Sequence, residues 1–312
     1  MHMPSIAIIG ELNLDLIVTG ASGLPQLGEE LIVGGMDLTL GSSSAILACQ
    51  LAKLGDEVLF ISKVGGDDFG RRALDFLREK GVPTGSVAVV PEMASGLTIS
   101  VPIGTERAML TQLGTIEEMR WEDIDWARLE GYRHLHISSY YLQRNLRPDI
   151  GRIFARAKEM GMTTSFDTGW PSDGAYRGEL TEVWPHVDIF LPNEAEAMEF
   201  TGQPTVEAAL SVLSEHVPTV AVKLGPDGAM AKQGTQEARR PGFVIDVVDT
   251  TGAGDSFNGG FLHGYLTGMD LGDCLDLGNA CGAMSVLGVG GTTTQATREQ
   301  AMDFIRATPR RM

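Results

Sequence analysis

The sequence has little of what several classes of protein require. Its three cysteines, Cys49, Cys274 and Cys281, are odd in number and form no CxxC pair, so we expect reduced core thiols rather than disulfides or metal ligands. No apolar run approaches the roughly 18 residues that a membrane span needs. The first ten residues lack the basic and apolar regions of a signal peptide, which predicts a cytoplasmic protein with no membrane partner.

Positive charge is also scarce. The 24 Lys and Arg residues face 41 Asp and Glu residues, and the formal net charge is −17. This balance repels a phosphate backbone, and no basic cluster offsets it, so nucleic acid is not an expected partner. A small anionic ligand would therefore need a locally positive site, built from backbone as much as from side chains.

The 312 residues and 43% hydrophobic content fit one large α/β domain or two smaller ones. From about residue 134, short apolar runs alternate with helical periodicity, which predicts a mainly parallel sheet covered on both faces. The predicted strands are 134–138, 163–167, 187–191, 219–224 and 242–248, and the predicted helices include 193–201 and 205–216. Because ligands of such sheets bind beyond the carboxyl ends of the strands, we expect a site in the loops after 138, 167, 191 and 224.

The first third of the chain has a different pattern. Residues 11–18, 31–40 and 97–113 contain period-two alternation, which is typical of strands with one buried and one exposed face. They are interrupted by predicted helices at 43–54 and 67–80. The pattern predicts a small β lid over the α/β body, with a hairpin turn at 104–106. The alternative is that these strands extend an edge of the main sheet.

The segment Asp249-Thr-Thr-Gly-Ala-Gly-Asp255 is the most informative in the chain. A predicted strand precedes it and a helical apolar stripe follows it, so Gly252, Ala253 and Gly254 form a tight turn into a helix. Free amides at such a helix start favour an anion. Asp255 on the first helical turn is a common type of cap, but beside an anion site it could also accept a proton.

Familiar nucleotide and hydrolase motifs do not explain this turn. The chain contains no Gly-Lys-Ser or Gly-Lys-Thr, so a Walker loop is excluded. Phe257 occupies the place of the third glycine of GxGxxG, and Asn258 occupies that of the last glycine of GxSxG. The turn is therefore a phosphate site of another design.

Asp249-Thr-Thr-Gly-Ala-Gly-Asp255 is very similar to the signature of ribokinase-like carbohydrate kinases of the phosphofructokinase-B type. The resemblance spans nearly the whole chain and implies a single three-layer α/β/α kinase domain over 1–312, with a mainly parallel central sheet and a small β-sheet lid. The supporting segments are Gly10-Glu-Leu-Asn-Leu-Asp15, Val64-Gly-Gly-Asp-Asp-Phe-Gly70, Asn193-Glu-Ala-Glu196 and Val222-Lys-Leu-Gly-Pro-Asp-Gly228.

The resemblance implies roles for individual residues. Asp255 would deprotonate the acceptor hydroxyl, and the amides of Gly252, Ala253 and Gly254 would hold the charge on the transferred phosphoryl group. The residues implied for the acceptor are Asn13, Asp15, Gly41, Ser42 and Asp167. Those implied for the nucleotide are Asn193, Glu196, Lys223, Gly225, Gly228 and Asn279.

The same resemblance implies ATP and Mg²⁺ as cofactors, with Glu196 near the magnesium, acting through water. Asn193-Glu-Ala-Glu196 also has the composition of a capped acidic helix start, and taken alone it favours that interpretation. A monovalent cation, K⁺, is a further possibility that the family suggests. Its matching positions are Asp249, Thr251, Ser285, Gly290 and Thr294.

Two departures from the family pattern bear on the acceptor. Ser42 and Ile46 stand where the family has its second glycine and an asparagine, and Asp167-Thr-Gly-Trp-Pro replaces a motif that contains an arginine. The missing arginine argues against a charged acceptor, so a small uncharged sugar is predicted. A nucleoside is an alternative, because Tyr140, Tyr141 and Trp170 lie on nearby loops, although these aromatics could equally be packing residues.

Another alternative is a non-catalytic sensor of sugar or nucleotide that kept the fold and lost the reaction. The half-apolar lid strands also predict that two copies could pair as a homodimer through the lid. Arg310 and Arg311 are predicted to be a frayed tail.

Overall fold

A computed structural model describes residues 3–103, 106–169 and 180–311, with backbone only at 106 and 107. Its strands are β1 (Ser5–Ile9), β2 (Asn13–Thr19), β3 (Gly35–Leu40), β4 (Glu57–Gly65), β5 (Val87–Val90), β6 (Gly96–Ile103), β7 (Glu106–Gln112), β8 (His134–Ile137), β9 (Thr163–Phe166), β10 (Ile189–Phe190), β11 (Thr219–Lys223), β12 (Ala229–Gln233) and β13 (Gln236–Arg240). Its α-helices are α1 (Ser43–Leu54), α2 (Asp68–Glu79), α3 (Ile150–Glu159), α4 (Glu194–Thr201), α5 (Val206–Leu213), α6 (Ala253–Leu266), α7 (Leu271–Ser285) and α8 (Arg298–Ala307).

The large sheet has nine strands in the order β13-β12-β11-β10-β9-β8-β1-β4-β5. Neighbours from β11 to β5 are parallel, and β12 and β13 add an antiparallel edge. Strand β1 shows why both faces are covered: Ile6 and Ile8 pack into one core cluster, whereas Ala7 and Ile9 pack into the other. The predicted three-layer α/β architecture is confirmed.

A separate four-stranded sheet has the order β3-β2-β6-β7. We call it the small sheet. Strands β6 and β7 pair antiparallel from Leu97 opposite Gln112 to Ile103 opposite Glu106, as two strands of a hairpin do. Residues 104 and 105 of the predicted turn lie outside the described residues. The small sheet is therefore distinct from the large one, and the alternative of an extended main sheet is wrong. Its first outer strand begins at Gly35 rather than at residue 31.

Other differences from the sequence analysis are local. The strand predicted within 11–18 begins only at Asn13: β1 ends at Ile9 in the large sheet, and β2 begins at Asn13 in the small sheet. The predicted strand 242–248 is wrong, because this extended segment makes only an isolated bridge, between Phe243 and Arg310. Within the described residues, no helix combines the length and apolarity needed to cross a membrane.

Candidate active site

Five parallel strands bring polar residues to one edge of the large sheet. In sheet order, β11 ends at Lys223, β10 is followed by Asn193, β9 by Asp167, β8 by Ser139 and β1 by Glu11. The carboxyl ends of parallel strands lie at the same edge of a sheet. The sequence analysis predicted a site at this edge, in the loops after 138, 167, 191 and 224.

Helix α6 delivers Asp255 to this edge. Gly252 is the residue before the helix, with φ 73°, and a Cβ there would lie 2.8 Å from the Cα of Gly291, so glycine is needed for conformation and for space. Asp255 follows on the first turn, where the helix dipole favours a negative charge. The amide of Ala253 donates to the carbonyl of Thr250 over a long 3.3 Å, so this predicted anion ligand has an internal partner.

The pKa of the Asp255 carboxyl group lies near neutral pH. Residue Asp255 keeps partial contact with solvent. Removal of water by the surrounding protein is the main cause that raises its pKa to about 7, and the negative charges of Asp167 and Glu11 add to the effect. The Lys223 ammonium group and a hydrogen bond from the Ser43 side chain work in the opposite direction. A carboxyl with such a pKa is suited to general-base chemistry at physiological pH.

Asp167 has the opposite environment. Its Oδ2 lies 2.7 Å from Lys223 Nζ and 2.5 Å from Asn258 Nδ2, and the residue is 6% exposed. Burial is the largest single influence and works to raise the pKa of Asp167. The Lys223 charge, the hydrogen bonds from Lys223 and Asn258 and the charge of His136 together outweigh it, so the pKa lies below its ordinary value. The pKa of Lys223 is raised, because the surrounding carboxylates outweigh its burial. The Lys223–Asp167 pair is therefore charged, and both of its charges act on Asp255.

The structure also brings together residues predicted for different ligands. Lys223 was assigned to the nucleotide and Asp167 to the acceptor, yet they form one ion pair. A Cβ on Gly254 would lie 3.5 Å from Lys223 Nζ, so the ammonium group faces the glycine turn. Lys223 thus lies between Asp167, which was predicted for the acceptor, and Gly254 of the predicted anion-binding turn.

Glu196 combines the two interpretations of its motif. It forms a capping box with Asn193: Asn193 N donates to Glu196 Oε2 at 2.8 Å, and Glu196 N donates to Asn193 Oδ1 at 2.9 Å. Burial and the charge of Asp167 raise the pKa of Glu196 to about 7. The capping role is therefore present, while the charges of Lys223 and Asp255 act on the same carboxyl.

Glycine 41 lies against two of the predicted acceptor residues, Asn13 and Asp15. A Cβ added there would lie 2.3 Å from Asp15 Oδ1 and 2.6 Å from Asn13 Nδ2. Asn13 Nδ2 itself donates to Asp15 Oδ1 at 3.0 Å. Asn13, Asp15 and Gly41 are thus close together, and Ser42 follows directly as the N-cap of α1.

A cavity of about 360 Å³ lies next to the glycine turn, with Ala253 and Gly254 in its wall. It reaches from Lys223, Ala253 and Gly254 to Asn279 and Arg311. Most of its wall is apolar or glycine, and the remaining lining residues are Gly225, Pro226, Gly228, Gly242, Phe243, Ile245, Val247, Thr250, Phe257, Gly282, Ala283 and Val286. Of the residues predicted for the nucleotide, Lys223, Gly225, Gly228 and Asn279 line this cavity, whereas Asn193 and Glu196 do not.

The predicted frayed tail is wrong. Arg310 bridges to Phe243, its guanidinium group lies 2.7 Å from Asp276 Oδ1, and it covers the Phe243 ring at 4.1 Å. Arg311 N donates to the carbonyl of Gly242 at 2.9 Å. These contacts place Pro309–Arg311 against the segment that was mistaken for a strand, at one wall of the cavity.

The residues predicted for a monovalent cation form two hydrogen-bonded groups. Asp249 accepts from Thr251 N at 3.0 Å, from Thr251 Oγ1 at 2.8 Å and from Gly290 N at 2.8 Å. Thr294 Oγ1 donates to the Ser285 carbonyl at 3.0 Å. Within the described residues, no group of three or more His, Cys, Asp or Glu side chains is arranged to hold a metal.

The aromatic residues weighed for a nucleoside are divided. Tyr140 and Tyr141 are buried, and the Tyr140 ring packs edge-on against Tyr141 and Phe166. They belong to the core of the large sheet, which favours the packing interpretation. Trp170 lies outside the described residues.

The sequence analysis missed four polar residues of the site: Glu11, Ser43, Ser139 and Asn258. Glu11 is 2% exposed and accepts hydrogen bonds from serines 44 and 139. Its position directly after β1 was the available signal, because a carboxylate at the end of a parallel strand lies at the ligand edge. The serines and Asn258 gave no comparable signal.

Comparisons with known proteins agree with this geometry. The model of the pfkB family carbohydrate kinases matches residues 3–298. An uncharacterized sugar kinase of Archaeoglobus fulgidus is 34% identical, over 76% of this chain and 94% of its own length. The ATP-dependent ribose-1-phosphate kinase of Halopiger xanaduensis is 31% identical, over 97% of this chain and 98% of its own.

The fold has close structural relatives as well. The protein assigned as ribokinase II of E. coli, in complex with ATP and Mg²⁺, is 26% identical and has a TM-score of 0.87. The match covers 97% of this chain and 99% of that one.

Proposed function

Because this chain belongs to the pfkB family of carbohydrate kinases, we propose that it transfers the γ-phosphoryl group of ATP to a primary hydroxyl of a small, uncharged sugar. Asp255 takes the proton of that hydroxyl. The observation that carries the proposal is a carboxyl group with a pKa of about 7 on the first turn of a helix that begins with a glycine turn. A proton acceptor and an anion site then lie side by side, as in-line phosphoryl transfer requires.

In this proposal, the glycine turn and Lys223 stabilise the negative charge on the phosphoryl group during its transfer. The first-turn amides of α6 and the helix dipole stabilise negative charge, and the Lys223 ammonium group is directed at Gly254. Asp167 and Asn258 hold that ammonium group in place through a 2.7 Å ion pair and a 3.3 Å hydrogen bond. The buried pair thereby keeps a fixed positive charge where the phosphoryl group passes.

ATP occupies the cavity of about 360 Å³ in this proposal. Its phosphates point to Lys223 and Gly254, and its base lies among the apolar and glycine residues toward Asn279. This arrangement uses backbone groups at the reactive end and apolar surface at the other, as expected of a largely pre-formed ligand cavity.

Magnesium fits the charges around this site. Within the described residues, the carboxyl groups of Asp167, Glu196 and Asp255 act on one another electrostatically, and the Lys223 ammonium group acts on all three, so three acidic groups share one ammonium group. Glu196 and Asn193 would hold the ion through water, since Mg²⁺ keeps most of its water shell and is bound by few protein groups. When bound there, such an ion would supply positive charge to the phosphates of ATP. K⁺ near Asp249, Thr251, Ser285, Gly290 and Thr294 belongs to the same proposal, because carboxylate, hydroxyl and carbonyl oxygens suit it.

The acceptor is proposed to bind at Asn13, Asp15, Gly41, Ser42 and Asp167. Asn13, Asp15 and Gly41 are already in contact, and their amide and carboxylate groups match sugar hydroxyls. The Lys223 ammonium group pairs with one oxygen, Oδ2, of the Asp167 carboxylate. The described part of this region offers acceptor oxygens and hydroxyls, which favours an uncharged ligand over an anion.

The test is an acceptor screen with ATP and Mg²⁺, read as ADP release and as phosphorylated product by mass spectrometry. Ribose, deoxyribose, fructose, ribose 1-phosphate and a nucleoside form the panel, and Asp255→Asn is the control for contaminating kinases. Phosphorylation of a neutral sugar supports the proposal. Transfer only to ribose 1-phosphate or only to the nucleoside would replace the acceptor class. Nucleotide or sugar binding without transfer to any member would favour the sensor.

A homodimer through the small sheet is a separate part of the proposal. Its outer strands expose Met36, Met109 and Leu110, at 61%, 56% and 70% of their surface. Unpaired strand edges with exposed apolar residues favour pairing with a second copy. Light scattering at working concentration tests it: a dimeric mass that falls to a monomeric one in Leu110→Lys supports the pairing, and a monomeric wild type contradicts it.

A further inference from the structure

Two arginines pair with one carboxylate next to the cavity. Asp276, on α7, has its Oδ2 3.1 Å from Arg240 Nε and its Oδ1 2.7 Å from the Arg310 guanidinium group. Its side chain is mostly buried, and so is that of Arg310. Asp276 therefore joins α7 to the end of β13 and to the segment Pro309–Arg311. We use the term outer wall for four residues that line the cavity nearby: Gly242, Phe243, Asn279 and Arg311.

The pair with Arg240 leads directly to one residue of the outer wall. The Arg240 carbonyl accepts from Asn279 Nδ2 at 3.3 Å. The Arg240 guanidinium group lies against α7 at Gly272, where a Cβ would overlap it. Asp276 and Asn279 are three residues apart on α7, so they share a face of the helix. Arg240 is thus held to α7 through both its side chain and its carbonyl group.

The pair with Arg310 leads to the rest of the outer wall. The Arg310 guanidinium group covers the Phe243 ring at 4.1 Å, and the two residues also form a backbone bridge. The next residue, Arg311, donates from its amide to the Gly242 carbonyl at 2.9 Å. The position of Arg310 therefore determines where these three residues lie, and Asp276 holds Arg310 to α7.

Regular secondary structure gives this wall little support. In the described chain, segment 242–248 makes an isolated bridge and belongs to no strand. Val244, Val247 and Val248 expose more than half of their surface. A segment with so few buried contacts opens readily unless other contacts fix it. The ion pairs of Asp276 supply such contacts from a buried helix.

We propose that Asp276 is a positioning residue for the nucleotide: through Arg240 and Arg310, it holds Asn279 and Arg311 at the outer wall. Asp276 does not itself line the cavity, so its effect is transmitted by these partners. The inference rests on the proposed function only in assigning an adenine nucleotide to the cavity.

A positioning role and a general effect of charge predict opposite results. The protein has a formal net charge of −17, so removing one acidic group should favour an anion such as ATP if charge alone mattered. Asp276→Asn is instead expected to weaken binding, because two arginines lose their common partner and the wall that they hold is no longer fixed.

The experiment compares wild type, Asp276→Asn and the control Glu207→Gln. Glu207 is a matched control because its Oε1 lies 3.0 Å from the guanidinium group of Arg239, the neighbour of Arg240 in β13, and this pair is exposed. Both variants remove one negative charge and one partner of a β13 arginine. Calorimetric titration gives the Kd of ATP and of ADP. Steady-state kinetics with the acceptor found by the screen gives kcat and both KM values, and thermal unfolding gives stability.

For Asp276→Asn we expect the Kd of ATP to rise about tenfold, a loss within the range for removing one member of a side-chain network. ADP should lose affinity by the same factor, because the outer wall is separate from Lys223 and Gly254, where the phosphates are proposed to bind. The KM of ATP rises with its Kd, while kcat at saturating ATP and the acceptor KM keep their wild-type values. Glu207→Gln weakens neither nucleotide.

A double variant sharpens the test. If Asp276 acts through Arg310, then Asp276→Asn combined with Arg310→Gln should weaken ATP binding by less than the product of the two single effects. Effects that multiply in full would contradict a shared role.

The inference is overturned if Asp276→Asn binds ATP as tightly as the wild type, whether or not it loses stability, or if Glu207→Gln loses affinity to the same extent. Should Asp276→Asn fail to fold, an unchanged Kd of ATP in Arg310→Gln overturns it. A wild type that binds no adenine nucleotide overturns the inference together with the assignment of the cavity. A wild type that binds ATP, depends on Asp276 and phosphorylates no acceptor contradicts the proposed function and leaves the inference standing.

Discussion

The proposed active site has two ends, one for the acceptor and one for the nucleotide, and they are lined by different kinds of groups. We call the whole the cleft. At the proposed acceptor end, side chains contact one another: Asn13 bonds Asp15, and serines surround Glu11. At the proposed nucleotide end, glycines and apolar residues line the cavity, and Lys223, Asn279 and Arg311 are among its few polar side chains. Asp255 lies where the two ends meet.

This contrast indicates how the site divides its work. Backbone groups and apolar surface suit a ligand that is the same in every reaction of a family, since they depend little on side-chain identity. A dense network of side chains suits a ligand that differs, because changing one polar partner leaves another unsatisfied. The departure from the family pattern at Ser42 falls at the proposed acceptor end.

The largest expected effect comes from the residue that both ends share. Asp255→Asn should lower kcat by about 10³-fold, because the acceptor proton loses its base, while ATP binding stays near the wild-type value. In the wild type, kcat/KM for the acceptor should rise with pH through about 7, since the base acts in its deprotonated form and its pKa is about 7. Steady-state kinetics and calorimetric titration with ATP measure both. Near-normal turnover by the variant would show that Asp255 is not the base.

Glycine 41 offers a way to disturb the acceptor end alone. Gly41→Ala places a Cβ 2.3 Å from Asp15 Oδ1 and 2.6 Å from Asn13 Nδ2, so both side chains must shift. We expect the acceptor KM to rise by up to about 10²-fold, the order of loss that an ångström of misplacement causes. Gly23→Ala is the matched control, because a Cβ there meets nothing within 4 Å. An equal rise in the KM of ATP would contradict the division of the cleft.

Gly228→Ala applies the same change to the nucleotide end. Gly228 has φ 94°, and a Cβ would lie 2.1 Å from the Arg240 carbonyl, which also accepts from Asn279 Nδ2 at 3.3 Å. The strain should lower the free energy of unfolding by about 1–3 kcal/mol and weaken ATP binding by about tenfold, roughly 1.4 kcal/mol. Thermal unfolding and ATP titration measure these effects. If instead the acceptor KM changes and ATP binding does not, the two ends are not independent.

Much of the architecture could be predicted from local patterns. Continuous apolar runs such as Thr219–Lys223 become buried parallel strands, and the glycine turn before Asp255 begins a helix as expected. These features depend on residues near one another in the chain. Asp167, Asn193 and Lys223 lie at the predicted edge of the sheet, because strand ends converge there.

The partners of individual side chains could not be predicted. Lys223 and Asp167 are 56 residues apart, and Glu11 and Ser139 are 128 apart, so no local pattern links them. Segment 242–248 was predicted as a strand because it is apolar, yet Ile245 and Val247 line a cavity and Val248 is 59% exposed. Hydrophobicity does not distinguish a residue that packs in the core from one that lines a ligand cavity.

The smallest expected effect concerns Arg311, at the outer wall of the nucleotide end. Arg311 lines the cavity, and the pairing of its amide with Gly242 holds it there. A guanidinium group stacks well on a planar base, and such a contact contributes about 0.5–1 kcal/mol. Arg311→Ala should therefore raise the KM of ATP by about two- to fivefold, with kcat and the acceptor KM unchanged. Arg306→Ala is the control, because Arg306 pairs with Asp303 on the surface of α8. An effect of equal size in both variants would indicate a general loss of positive charge in a strongly acidic protein, and the wall at Pro309–Arg311 would then have no specific part in binding the nucleotide.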